Sequence, residues 1–301
     1  MEIGIIRPYE IEFNNADVVD IDKAIKIRGH ETRMIYADML GIGISEKGIN
    51  IGQMLSRSEK SKPEVDCAVL RHLGIIKDYE QYWHRVSFVR AMETCGIYVT
   101  NPVMQWLNAR DKLSTFITLA KSGIPIPETI STEHMFIAYE AVKKFGKAVI
   151  KPLLSAMGYG VFKVEDPDVA MHIFSYLVNI NKPMYVQKYI EKKGGGDYRV
   201  VVVEGRALGA EFRKGSGWKS NIAQGASPIN VENPDKELTE LAIKATESLG
   251  LDFAGIDIAE TEEGYCVLES NPTLSWQGFK KATGINPAEE IVDFLIRKAK
   301  R

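Results

Sequence analysis

The stretch FAGIDIAETEEGYCVLESNP, Phe253 to Pro272, limits the fold more than any other part of the chain. Two apolar runs flank Glu262-Glu263-Gly264, which reads as a three-residue hairpin turn with Gly264 in the left-handed conformation. Thr261 then pairs with Tyr265 and, counting back, Asp257 faces Glu269. Side chains alternate along a strand, so Asn271 shares that face, while Ile256, Ile258, Cys266 and Leu268 point to the other. Two carboxylates directly across a strand pair repel unless positive charge lies between them, and the stretch holds no cationic side chain. A hard divalent cation answers the need, because magnesium takes one or two carboxylates and leaves its other positions to water and phosphate. A solvated strand face is the alternative. A turn one residue shorter or longer would break the convergence.

The chain around this hairpin divides by pattern. Residues 1–101 alternate strand and helix: EIGII, NADVVDIDKAIKIRG, ETRMIYA, VDCAVLRH, QYWHRVSFVRAMETCG and IYVTNP. Alternation of this kind predicts a parallel sheet covered by helices. NARDKLSTFITLAKSG reads as one helix stopped at Gly123, with Pro125 and Pro127 forcing extended chain beyond it. From Lys147 onward the order is strand, glycine loop, strand, helix, strand and a strand pair around Glu204-Gly205, so antiparallel pairing dominates. The expected class is α/β (α+β), with boundaries at 1–101, 102–190 and 191–301.

Composition excludes several functions. With 301 residues, 45% hydrophobic, 26% charged and a net charge of −2, the chain is globular and lacks a basic footprint for nucleic acid. No segment reads as a membrane span or signal peptide. Cys67, Cys95 and Cys266, odd in number and far apart, read as reduced residues of a cytoplasmic protein. The five histidines show no metal-ligand spacing, and GxSxG, GxxxxGK[ST] and an opening GxGxxG are all absent, which argues against a zinc site, a serine hydrolase, a Walker loop and a dinucleotide-binding dehydrogenase.

AVIKPLLSAMGYGVFKV places Lys151 at a strand end before a loop running from Ser155 through Gly158 to Gly160, where glycine-freed amides and a lysine could meet phosphate. MYVQKYI is a strand whose edge could read a base. Arg199, Arg213, Lys214, Lys219 and Asn221 follow on strands and a Gly-Ser-rich loop, with charge and hydrogen bonding suited to a phosphoryl group. Taken singly, the lysine-glycine loop and the MYVQKYI strand each read more readily as ordinary structure.

Together, ARDKLSTF, AVIKPLLSAMGYGVFKV, VQKYIEKKGGGDYRVVVV, GWKSNIAQGA, GLDFAGIDI and VLESNPTLSWQGFKKATGI resemble the ATP-grasp superfamily, specifically its RimK-like amino-acid ligases. The resemblance covers about 102–290 and implies an ATP-grasp fold with a preceding N-terminal parallel-sheet domain. It implies that Lys112 and Lys151 hold ATP phosphates and that Ser155, Gly158 and Gly160 belong to a lid. It places Lys188 and Tyr189, with Gln187 before them, at the adenine hinge, and assigns Asp197, Lys219, Ser220 and Asn221 to the nucleotide. It implies that Asp257, Glu269 and Asn271 hold magnesium or manganese, two ions per site, with Arg213 beside the transferring phosphate. The implied reaction is an ATP-dependent carboxylate-amine ligation through an acyl phosphate, adding L-glutamate to a coenzyme carboxylate or to a protein. A homodimer or homotetramer is also implied. Lys188 stands where many relatives carry Glu, and Lys219 where some carry Arg. The acceptor is expected near Arg7, Arg71-His72 and the TLSWQGFKKATG loop, where Trp276 either stacks on it or packs. A non-catalytic nucleotide sensor is the rival of a different class.

Overall fold

The computed structural model describes residues 1–9, 15–54, 60–61, 64–74, 78–153, 159–215, 217–220 and 225–300. The expected positions Ser155, Gly158 and Asn221 lie outside them.

The first hundred residues form β1 (Glu2–Arg7), α1 (Asn15–Ile27), β2 (Glu31–Tyr36), β3 (Leu40–Ser45), β4 (Gly48–Met54), β5 (Lys60–Ser61), β6 (Cys67–Leu70), α2 (Tyr79–Thr94) and β7 (Tyr98–Thr100). The order β2-β1-β6-β7 is parallel throughout, as alternation predicted. Each residue of β6 is buried, matching an apolar run covered on both faces. Asp78 caps α2 by accepting from the Gln81 N–H at 3.1 Å. A small antiparallel sheet, β3-β4-β5, was not anticipated.

The single helix predicted through Asp111 is instead two: α3 (Val103–Arg110) and α4 (Lys112–Lys121). Asp111 is extended and accepts from the Ser114 N–H at 2.9 Å, so it starts a new helix where the periodic pattern suggested continuity. Lys112 therefore stands on the first turn of α4. An antiparallel sheet, ordered β10-β9-β11-β8, follows from β8 (Thr129–Thr132), α5 (Met135–Phe145), β9 (Ala148–Lys151), β10 (Phe162–Val164), α6 (Pro167–Asn179) and β11 (Met184–Lys188). Apolar residues of α5 and α6 pack on one face of it, which turns Val149, Lys151 and Gln187 to the other.

The third sheet, β14-β13-β12-β15-β16, comprises β12 (Gly196–Val203), β13 (Arg206–Lys214), β14 (Ser227–Val231), β15 (Phe253–Thr261) and β16 (Gly264–Asn271), with α7 (Lys236–Ser248) between β14 and β15. Val200, Val202, Ile256, Ile258 and Val267 on one face pack with α4 and α7. On the other face Val201, Val203 and Phe253 join α8 (Gln277–Thr283), α9 (Pro287–Ala299) and the first sheet in one apolar cluster. That shared core fixes the third sheet against the first.

The hairpin corrects the expected turn. Thr261 pairs with Gly264, a two-residue turn, which by itself would move Glu269 out of line with Asp257. A bulge between Asp257 and Ile258 absorbs Leu268 as the extra residue and restores the Asp257–Glu269 and Gly255–Asn271 pairs. The assignment of Cys266 and Leu268 to the Ile258 face fails for the same reason: Val267 pairs with Ile258 and shares its apolar cluster.

Candidate active site

Asn101 secures the base of the hairpin. Its amide nitrogen donates to the carbonyls of Phe253 and Pro272 at 2.9 and 3.0 Å, and its oxygen accepts from the N–H groups of Asp252 and Phe253. Asp257 is 3% exposed, Glu269 lies beside it across the strand pair, and the Asn271 amide nitrogen is 3.4 Å from Asp257 Oδ2. The three expected oxygen-bearing side chains thus converge.

The positive charge between strands comes from neighbouring strands, which the hairpin alone could not reveal. Arg199 on β12 donates from Nε and Nη2 to the two oxygens of Asp257 at 2.8 and 2.9 Å, and Arg213 on β13 reaches Asp257 Oδ2 at 2.9 Å. Gly255 leaves room for this, since a side chain there would meet Leu274 at 3.2 Å and the Arg199 stem at 3.5 Å. Burial alone would raise the Asp257 carboxyl, but the two guanidinium groups overcome it and hold the value down at about 2. Arg213 is 2% exposed and also donates to Asp197 Oδ1 at 2.9 and 2.7 Å. Burial opposes its charge, and the flanking Asp257 and Asp197 raise its pKa beyond that of a free guanidinium.

Asp197 is the hub of a second group. Its Oδ2 takes Lys192 at 3.2 Å and the Ser220 hydroxyl, and Lys192 also donates to Ser220 at 2.7 Å. These residues line a cleft together with Lys151, Gln187, Lys188, Tyr189, Trp218 and Lys219. The main-chain N–H groups of Lys188 and Tyr189 are engaged by the carbonyls of Glu128 and Lys147. Tyr189 packs edge-on to Trp218, which with Lys219 over its ring at 5.3 Å gives the cleft an aromatic wall. Gly160 has a φ of 71°, in the left-handed region that favours glycine.

Lys151 ends β9 half-buried, with Nζ donating to Gln187 Oε1 at 2.7 Å; desolvation pushes its pKa down to about 8. Lys112 lies 3.5 Å from Glu269 Oε1. A second cavity adjoins the first across Lys151, Leu268 and Glu269 and reaches His72 from the segment after β6 and Arg110 from α3. Gly74 N–H donates to His72 Nδ1 at 2.8 Å, and burial, with Arg110 and Arg71 nearby, lowers this imidazole to about 4.

The loop after the hairpin packs tightly. Trp276 is fully buried, donates to Asp20 at 3.2 Å and lies under Arg71, whose guanidinium carbon is 4.4 Å from the ring centroid. Arg71, also buried, holds Asp17 at 3.2 Å and the Leu274 carbonyl at 3.0 Å. Of the two uses considered for Trp276, packing is the one observed.

The donor set suits a hard divalent cation. Asp257, Glu269 and Asn271 offer carboxylate and amide oxygens without imidazole or thiolate, the set magnesium takes when phosphate oxygens complete its shell. Among the described residues no group of three or more His, Cys, Asp or Glu side chains gathers as a self-sufficient metal cage. Sequence reasoning gave Arg199 no partner and passed over Lys192 and Trp218. The signal for Arg199 was available: it sits two residues after Asp197, on the same strand face.

Residues 109–295 match the RimK-like ATP-grasp domain. The chain is 31% identical to the tetrahydromethanopterin:alpha-L-glutamate ligase of Methanosarcina acetivorans, over 90% of this chain and 92% of that protein. It is 28% identical to a probable alpha-L-glutamate ligase of Maridesulfovibrio salexigens, over 99% and 96%. Among solved structures, the ATP-grasp ligase PsnB with a minimal precursor, Mg and ADP superposes with a TM-score of 0.72 at 20% identity, covering 99% of this chain and 98% of that one. A RimK domain protein from Sphaerobacter thermophilus gives a TM-score of 0.73 at 20% identity, over 98% and 99%. No helix among the described residues is long and apolar enough to cross a membrane. The chain belongs to the RimK-like ATP-grasp family of ATP-dependent ligases.

Proposed function

We propose that the chain joins the amine of L-glutamate to a carboxylate on a small coenzyme-type acceptor, converting ATP to ADP and phosphate. The observation that carries this reading is the position of Glu269 between two cavities, with Lys112 and Lys151 at their junction. One cavity suits a nucleotide and the other a substrate. The 31% identity to a tetrahydromethanopterin:alpha-L-glutamate ligase supports a coenzyme acceptor over a protein.

ATP occupies the cleft with its base near Gln187, Lys188 and Tyr189. Because the Lys188 and Tyr189 N–H groups are engaged in the ladder, base recognition falls to other main-chain groups and to the aromatic wall. Lys151 and Lys112 meet the phosphates, with Lys219 and Ser220 at their edge. Asp257, Glu269 and Asn271 would hold magnesium or manganese, which would neutralise phosphate charge. A carboxylate oxygen of the acceptor forms a bond to the γ-phosphorus as the bond to the β–γ bridging oxygen breaks and ADP leaves. The neutral amine of glutamate then bonds to the acyl carbon, the carbon–oxygen bond to phosphate breaks, and the amine gives up a proton as inorganic phosphate departs. Lysine charge stabilises both transfers, so positioning and electrostatics take the place of a side-chain nucleophile. Arg213 acts by fixing Asp197 and Asp257 at the edge of this field.

Incubation with magnesium-ATP, labelled L-glutamate and a small-molecule extract tests the reading. ADP release coupled to label in a small coenzyme is expected. Label in protein would overturn the coenzyme acceptor, and no coupled ADP release with any acceptor would overturn the ligase.

A further inference from the structure

Arg110, at the end of α3, enters the second cavity beside Ser270. Its guanidinium carbon lies 4.8 Å above the ring of Trp106, whose Nε1–H donates to Thr273 at 2.6 Å, so the planar group rests on an anchored platform. Among the described residues no carboxylate pairs with Arg110. An arginine held flat without an acidic partner is arranged for an anion that the protein itself does not supply. Ser270 is 5% exposed, and its hydroxyl has no hydrogen-bond partner. Native structures seldom leave a buried hydroxyl so, and a bound polar ligand is one standard explanation.

We infer that this cavity is the subsite for L-glutamate, with Arg110 taking one of its carboxylates through paired N–H donors and Ser270 adding a hydrogen bond. The inference rests on the ligase reading for the identity of the ligand and deepens it by saying where the amine substrate sits. Charge accounting chooses between the two substrates. The acceptor carboxylate passes through an acyl phosphate and ends as a neutral amide, whereas glutamate keeps both carboxylates unchanged from binding to product. A fixed guanidinium suits the ligand whose charge persists. The cavity reaches Glu269 and Lys151, so a glutamate anchored at Arg110 has its amine on the side where an acyl phosphate forms. His72, beside Arg110, is neutral at pH 7 and adds no competing charge.

The test is direct binding of L-glutamate to the full chain in the presence of magnesium-ADP, followed by calorimetry, for wild type, Arg110→Met, Arg110→Lys and Ser270→Ala. The expected losses of glutamate affinity are about tenfold or more for Arg110→Met, less for Arg110→Lys, and severalfold for Ser270→Ala. ADP affinity stays within about twofold, and Ser270→Ala does not lower the thermal midpoint, because the hydroxyl it removes has no partner to lose. Equal glutamate binding by wild type and Arg110→Met overturns the subsite, as does failure of the wild type to bind glutamate. ADP affinity falling in step with glutamate affinity also overturns it. If glutamate binding depends on Arg110 while no amide is made, the subsite stands and the ligase reading fails.

Discussion

Arg199 holds both oxygens of Asp257 from the adjacent strand, at 2.8 and 2.9 Å, in a geometry only a guanidinium provides. The carboxylate is buried, so removing Arg199 leaves it only the single contact from Arg213 at 2.9 Å in place of a paired fork. Arg199→Met is expected to cost about 3–5 kcal/mol in urea denaturation. Arg199→Lys keeps charge without the fork and falls between. A loss under about 1 kcal/mol for Arg199→Met would show that Arg213 alone suffices for Asp257.

Lys151 makes folding and nucleotide binding depend on pH. Burial lowers its folded pKa to about 8 against about 10.4 for an unfolded lysine, so between these values the unfolded chain binds more protons. Stability from this group therefore rises with pH across that window and is flat below it. ADP binding goes the other way, because phosphate favours the protonated lysine. Calorimetry at pH 8.5 in buffers of different ionisation enthalpy should show proton uptake on binding ADP, and Lys151→Met should abolish it. Uptake unchanged in the variant would mean that the proton goes elsewhere.

Glu269 differs from Asp257 in what it owes to the fold. Its side chain is 31% exposed and its nearest ion pair, Lys112, is at 3.5 Å, so Glu269→Gln should leave stability within about 1 kcal/mol of wild type. Loss of a carboxylate from a metal and phosphate site should nonetheless lower amide synthesis by about a hundredfold or more. Measuring urea midpoints and ADP release on the same preparation separates the two. A variant that keeps its turnover would remove Glu269 from the chemistry.

What the sequence disclosed follows from which signals are local. Strand alternation showed the parallel sheet around Cys67–Leu70 because a doubly buried strand is an uninterrupted apolar run. The Asp257–Glu269 pair was reached although the turn was misjudged, since the shorter turn and the Leu268 bulge cancel. Bulges leave little trace in composition, so the compensation was invisible. The break at Asp111 was missed because helical periodicity continues across it, although Asp three residues before Ser114 is an N-cap signal. The partners of Asp257 were hidden for another reason. Arg199 and Arg213 are distant in sequence and arrive only through the order β13-β12-β15, which no short motif encodes.

Trp276 supplies the last prediction, because its place under Arg71 separates packing from substrate contact. The indole is fully buried, its N–H reaches Asp20, and its ring carries the guanidinium at 4.4 Å. Trp276→Ala should therefore cost about 3–5 kcal/mol, as large core truncations do. Trp276→Phe keeps an aromatic face for Arg71 and loses only the hydrogen bond and part of the contact, so a cost of about 1–2 kcal/mol is expected. Its KM for the acceptor should match wild type, since a sealed ring has no surface to offer a ligand. An acceptor KM raised tenfold in Trp276→Phe, with stability unchanged, would place the ring in the substrate path and contradict the packing described here.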